Sequence, residues 1–375
     1  MATHAVIPFA VKIPFRSPAK FLALSLLFVS GALAAPDREF KTTPVMKLET
    51  RTLVQLLEVY HYNKDGVTPA DFPQLIEDYM KEGLDPQRLF FTAEDQTAFR
   101  NQYGPRIETD LAYLGNIDTA FVIFRAYEDR VKARAAWILE ELKQDYDFTA
   151  QETYAPDRSK SEFPANASEA DDLWRRRIKY EVLQDLLAKK SPAEAKTTIR
   201  KRYERMVKNV GDIEPLDVQE MFLSSFTRMY DPHSAYLSSD TLQDFSIQMK
   251  LSLIGIGAVL GIEDDGNCVV REVKPGSPAD LSGQIRMNDK IVAVQQPGGE
   301  VIEVIGMKLR RIVDMIRGSK GTKVTLTILP HDAPDATKTR QVHIIRDVIK
   351  LDEARASAAI YDLPGDDNQT IPVGV

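Results

Sequence analysis

The sequence predicts a multidomain α+β protein, with a mostly α-helical N-terminal domain followed by a small β-barrel or sandwich that carries helices. Three observations predict it. The chain has 375 residues, 43% of them hydrophobic and 27% charged, a globular composition with room for two or three domains. From about Met46 to Arg205 apolar residues return every three or four positions, the period of an amphipathic helix. After Asp240 the period falls to two and glycine becomes frequent, which places a boundary near Leu237 to Thr241.

The elements follow in chain order. Basic Lys12, Arg16 and Lys20 precede an apolar run from Phe21 to Leu33, and Ala32-Leu33-Ala34 supplies small residues for cleavage, so residues 1–34 read as a signal peptide. The run is short for a membrane span, and membrane contact is expected only through an uncleaved signal segment. The predicted location is therefore outside the cytoplasm, by export. Residues 35–238 form the helical domain. Leu53, Leu56, Leu57 and Tyr60 mark one face, Phe124, Tyr127 and Val131 a second, and Ile178, Val182, Leu183 and Leu186 a third. Thr68-Pro69 and Ser191-Pro192-Ala193-Glu194 read as helix starts, a hydroxyl capping free amides ahead of proline. Ala150 to Asp171 reads as an exposed connection, and its Asn166-Ala167-Ser168 sequon as chance.

Residues 239–348 form the β domain. Val324, Leu326 and Ile328 alternate with Lys323, Thr325 and Thr327, and Val342 and Ile344 resume after a polar turn, a hairpin with one buried face. Between Val304 and Ile316 an amphipathic helix turns Leu309, Ile312, Val313 and Ile316 to one side, with Gly318 placed to end it.

Charge and cysteine usage exclude several classes. A net charge of -7 and a pI near 5.5 argue against nucleic acid as partner, and the Arg175-Arg176-Arg177 run is a solvated helix face. The single cysteine, Cys268, excludes an intrachain disulfide and a multi-cysteine metal site; in its β-like run it reads as a buried thiol. Nothing in the sequence calls for a metal or a cofactor.

The stretch Ile254-Gly255-Ile256-Gly257-Ala258 is the strongest binding signal. Small residues let the backbone turn tightly and leave amides open to a carboxylate, while the Leu309, Ile312, Val313 and Ile316 face offers an apolar wall. An extended peptide could add to the sheet edge with its terminal carboxylate in the amide nest. Taken alone, Gly-x-Gly is equally a bulged glycine-rich strand. A Cβ at Gly257 is expected to obstruct the ligand while leaving the domain folded.

The order Gly255-Ile256-Gly257-Ala258, Val273-Lys274-Pro275-Gly276-Ser277-Pro278-Ala279, Asn288-Asp289-Lys290-Ile291 and Arg317-Gly318-Ser319-Lys320-Gly321-Thr322 resembles the PDZ domain of the tail-specific, or C-terminal processing, serine proteases. Upstream, Tyr230-Asp231-Pro232-His233-Ser234-Ala235-Tyr236 resembles the segment that precedes the PDZ domain in that family. Leu57 to Tyr62 and Gly83-Leu84-Asp85-Pro86 resemble its N-terminal helical domain. The resemblance implies an exported serine endopeptidase whose PDZ domain binds the C-terminal tails of protein substrates, with an adaptor protein as a possible partner. It also implies a serine-lysine pair in a core C-terminal to the PDZ domain. Residues 349–375 read as the start of that core, so no residue of this chain is assigned a catalytic role and the chain alone is expected to be inactive. Asp231, His233 and Ser234 invite a triad reading, but residues so close along one chain rarely converge with nucleophile geometry. A turn locked by Asp231 and Pro232, with Tyr236 packed between domains, is the expectation. The rival is a non-catalytic periplasmic PDZ adaptor.

Overall fold

The computed structural model describes residues 38–263, 265–333, 338–351, 358–364 and 370–374. The segment read as a signal peptide lies outside the described residues. A helical domain comes first. Helix α1 (Pro44–Tyr60) starts at Thr43, whose hydroxyl accepts from the Met46 amide. Its buried face is Met46, Thr50, Val54 and Leu57. Of the predicted face only Leu57 is buried, while Leu56 and Tyr60 are 49% and 78% exposed. Counting leucines misplaced the stripe, because methionine, threonine and valine meet the core.

Helices α2 (Gln74–Asp78), α3 (Ala93–Tyr103), α4 (Asp118–Glu141), α5 (Ala167–Leu187), α6 (Pro192–Gly211) and α7 (Pro215–Tyr230) complete this domain. Phe124 and Val131 of α4 share one core with Phe121, Phe222 and Phe226. Ile178 and Val182 of α5 share a second with Trp174, whose indole N–H donates to the Leu89 carbonyl at 2.7 Å. Ser191 and Glu194 close a capping box on α6. Thr68-Pro69 starts only a short 3-10 turn, Pro69–Asp71. Asn166 of the sequon caps α5, its side chain accepting from the Glu169 amide at 3.1 Å. In the Gly83-Leu84-Asp85-Pro86 stretch the buried Asp85 carboxylate accepts from the amides of Leu89, Phe90 and Phe91, so it organises the turn into α3.

Where the sequence falls to period two, the chain first makes one more helix, α8 (Ser239–Lys250), none of whose residues is buried. The β domain then opens with β1 (Ser252–Gly255), β2 (Ala258–Ile262), β3 (Cys268–Val273), α9 (Pro278–Ser282) and β4 (Lys290–Gln295). It continues through β5 (Val301–Glu303), α10 (Leu309–Ile316), β6 (Lys323–Leu329), β7 (Arg340–Ile345) and β8 (Asp347–Lys350). The sheet runs β2-β3-β4-β6-β7 with β5 beside β4, and β1 pairs separately with β8. The predicted hairpin is β6–β7, in register with Val324 opposite Ile344 and Leu326 opposite Val342. The amphipathic helix is shorter than its sequence pattern. Val301–Glu303 pairs with β4 and Val304 is buried ahead of the helix, so α10 begins at Leu309. A final hairpin joins β9 (Ile360–Pro364) to β10 (Thr370–Gly374).

Candidate peptide-binding groove

Strand β2 ends the order of its sheet, and α10 lies against it. Between them is a cavity of about 260 Å³. Of the predicted residues, Gly255, Ile256, Gly257, Ala258, Val313 and Ile316 line it. Three do not. Ile312 is fully buried in the domain core, Leu309 packs partly against that core, and Ile254 faces a neighbouring cavity because side chains alternate along β1. The sequence reading missed Leu253, Ile349 and Leu351, which close the cavity from β1 and the end of β8. It also missed two cations on the lining, Lys274 and Arg317, having expected no charge there beyond the backbone nest. Ile349 and Leu351 were invisible as site residues because their strand, far along the sequence, returns to pair with β1.

The loop between β1 and β2 is anchored through its carbonyls. Ile256 C=O accepts from the Ala279 amide and Gly257 C=O from the Lys274 amide, both at 2.8 Å. In a trans peptide the C=O and the following N–H point in opposite directions. The amides of Gly257 and Ala258 are therefore aimed away from the 274–279 turn, the arrangement a terminal carboxylate needs. Gly257 has φ of +79°, and a Cβ there would lie 2.1 Å from the Ser277 Cβ and 3.2 Å from Ile349 Cδ1. The obstruction is thus protein and not ligand, which corrects the expectation that a larger residue spares the fold.

The far wall is held by a buried arginine. Arg346 donates to Ile316 C=O at 2.8 Å, Met315 C=O at 3.1 Å, Gln296 Oε1 at 2.8 Å and Thr322 Oγ1 at 2.9 Å. Gln296 adds a second bond to Met315 C=O at 2.6 Å. Together they satisfy carbonyls that the last turn of α10 leaves open, and the positive charge complements the helix dipole. Burial pulls the arginine's pKa down from its ordinary value. Below the sheet, Cys268 is fully buried and burial pushes its thiol up to about 11, which leaves no reactive thiolate at neutral pH.

The turn ahead of the β domain is a closed polar cluster. His233 is not part of it; His61, at the end of α1, lies 3.1 Å from Ser234 Oγ through Nε2. The other ring nitrogen, Nδ1, accepts the Asn63 amide at 3.1 Å, so Nε2 carries the proton and donates to Ser234. Ser234 Oγ in turn donates to Asp231 Oδ2 at 3.3 Å. A nucleophile needs the opposite direction, with serine giving its proton to histidine. Tyr236 does not pack between domains: it sits against the helical core and donates to Glu49 Oε2 at 3.3 Å. Between the two domains Lys308 pairs with Glu214, and within the second Arg310 and Arg317 hold α8 through Asp240 and Asp244.

A helical domain leading into a sheet with an open edge and one flanking helix is a PDZ-containing assembly, and the comparisons agree. The model described as the tail-specific protease N-terminal domain matches residues 53–240, and the PDZ domain model matches residues 244–329. The chain belongs to the tail-specific protease family. It is 30% identical over 319 residues to a tail-specific protease of Haemophilus influenzae, covering 85% of this chain and 45% of that one. It is 32% identical over 168 residues to the carboxy-terminal processing protease CtpB of Bacillus subtilis, covering 44% of this chain and 32% of that one. The PDZ domain of a carboxy-terminal protease from Vibrio cholerae, solved in complex with a peptide, is 44% identical over 27% of this chain and all of that one, with a TM-score of 0.25. The chain spans less than half the length of the first two relatives.

Proposed function

We propose that this chain is the tail-recognising part of an exported serine endopeptidase of the C-terminal processing type. In this reading residues 1–34 direct export, 35–238 form the helical platform, 239–348 the PDZ domain, and 349–375 begin the protease core. The observation that carries it is the groove: an apolar cavity at an open strand edge, with the Gly257 and Ala258 amides directed away from the anchoring turn. A peptide lying along β2 with its last residue at Ala258 would pair through its backbone, place an apolar terminal side chain among Ile256, Val313 and Ile316, and give its carboxylate to the loop. Lys274 and Arg317 favour the same charge. Among the described residues no helix is long and apolar enough to cross a membrane.

The test is a titration of the chain with a peptide ending in apolar residues, as free acid and as C-terminal amide. Charge-assisted hydrogen bonds contribute roughly 1.5–3 kcal/mol, so the amide is expected to bind at least about tenfold more weakly. Equal affinity for the two forms removes the carboxylate from the account.

A further inference from the structure

The groove does not end in a wall of backbone. A tail with its carboxylate at the 255–257 loop runs away from that loop along β2, so whatever lies beyond the loop lies past the tail's last residue. A second cavity of about 540 Å³ lies there, between α8 and β1, and Leu253 and Arg317 line both cavities. Two side chains therefore divide the spaces. Its walls are as largely apolar as those of the groove, but Lys250 and Arg317 bring positive charge to it, and Ser246, Ser252 and Ser319 bring hydroxyls. Ile254 faces this second space.

The charges around it are accounted for. Arg317 reaches Asp244 of α8 at 3.3 Å, in an ion pair that leaves 24% of its side chain exposed. Lys320, beside Ser319, pairs with Asp347 at 2.6 Å. Lys250, at the end of α8, makes no ion pair among the described residues and is exposed. An entering anion would thus meet one unengaged ammonium, one guanidinium with further donors and several hydroxyls. An entering cation would meet like charge at the dividing side chain.

We propose that this cavity is a second subsite, taking acidic residues that follow the apolar segment bound in the groove. The site would then read segments ending in an apolar stretch plus one or two Asp or Glu residues, as well as tails that stop at the apolar residue. The terminal carboxylate nest is bypassed in that mode, and the acidic side chains with the displaced C-terminus are held by Lys250, Arg317 and the serines. This rests on the groove being the tail site.

Three labelled peptides test it by fluorescence anisotropy on the full chain: an apolar tail, the same tail followed by Glu-Glu, and the same tail followed by Lys-Lys. The Glu-Glu peptide is expected within about threefold of the parent and the Lys-Lys peptide at least about tenfold weaker, as charge pairing at a partly exposed site allows. Lys250→Glu is expected to narrow or invert that preference. If the parent binds and both extensions lose binding alike, or both are tolerated alike, the second subsite is overturned while the tail site stands. If the parent itself fails to bind, the tail-site reading falls and this inference falls with it.

Discussion

The 231–236 turn and the 253–260 loop both look like chemistry in the sequence, and they differ in what they do with their polar groups. Around Ser234 the side chains are used internally in a chain: Asn63 donates to His61, His61 to Ser234, and Ser234 to Asp231. At the turn between β1 and β2 the carbonyls of Ile256 and Gly257 are used, and the following amides point the other way. A chain of hydrogen bonds between neighbouring side chains fixes a junction. A half-used backbone beside an apolar cavity is a receptor. Which residue types are present does not separate the two cases; the direction of each bond does.

The largest expected effect comes from breaking the loop. Gly257→Val places a Cβ about where the Ser277 Cβ already sits, on a backbone of positive φ. Strain at such a position costs about 1–3 kcal/mol and overpacking a similar amount, so a loss of about 3–5 kcal/mol is expected. Differential scanning calorimetry should show the PDZ transition lost or lowered, with tail binding lost alongside. Gly257→Ala paired with Ser277→Gly removes the closest clash and should recover part of the stability. A Gly257→Val chain of unchanged melting temperature would mean the loop is anchored differently and the contrast with the Ser234 network is false.

A smaller effect is expected at the opposite wall. Arg346→Met removes the donors that hold the last carbonyls of α10 and leaves Gln296 and Thr322 without their partner. Unsatisfied buried groups cost about 1–3 kcal/mol, and a total of about 2–3 kcal/mol is expected from urea unfolding. Because Val313 and Ile316 line the cavity from this helix, tail affinity should also fall in the fraction that stays folded. Retained affinity at full occupancy would show that α10 is positioned by its apolar contacts alone.

Much of this was legible before any coordinates. Turn chemistry was clear where a residue has one local role: Ser191 caps α6, and the β6–β7 alternation fixes the buried face. Of the cavity lining, Gly255 to Ala258, Val313 and Ile316 could be picked out from glycine spacing and helical period, which are local, whereas Ile254, Leu309 and Ile312 were picked out and do not line it. Long-range closure was not. Ile349 and Leu351 reach the cavity only because β8 pairs with β1, nearly a hundred residues away in the chain, and His61 meets Ser234 only because α1 ends beside α7. Helix α8 escaped although Leu242, Phe245 and Met249 recur at helical spacing, because that stripe is short and stays exposed instead of joining a core.

The smallest expected effect bears most directly on the comparison. Ser234→Ala removes one hydroxyl that accepts from His61 and donates to Asp231, both partly exposed to water that can replace it. A hydrogen bond of this kind contributes about 0.5–1.5 kcal/mol, so the expected loss in urea unfolding is about 1 kcal/mol. Tail affinity should not change, because neither cavity is lined by this turn. In a longer chain that carries the rest of the relatives' length, peptide hydrolysis should also survive, since the histidine proton already lies on Nε2 and cannot be received from serine. Full stability together with abolished hydrolysis would reverse the assignment: it would make Ser234 a nucleophile and the 231–236 turn the reactive site. A loss of about 1 kcal/mol with hydrolysis intact leaves the turn as the junction between α7 and the domain that follows, and leaves recognition to the groove.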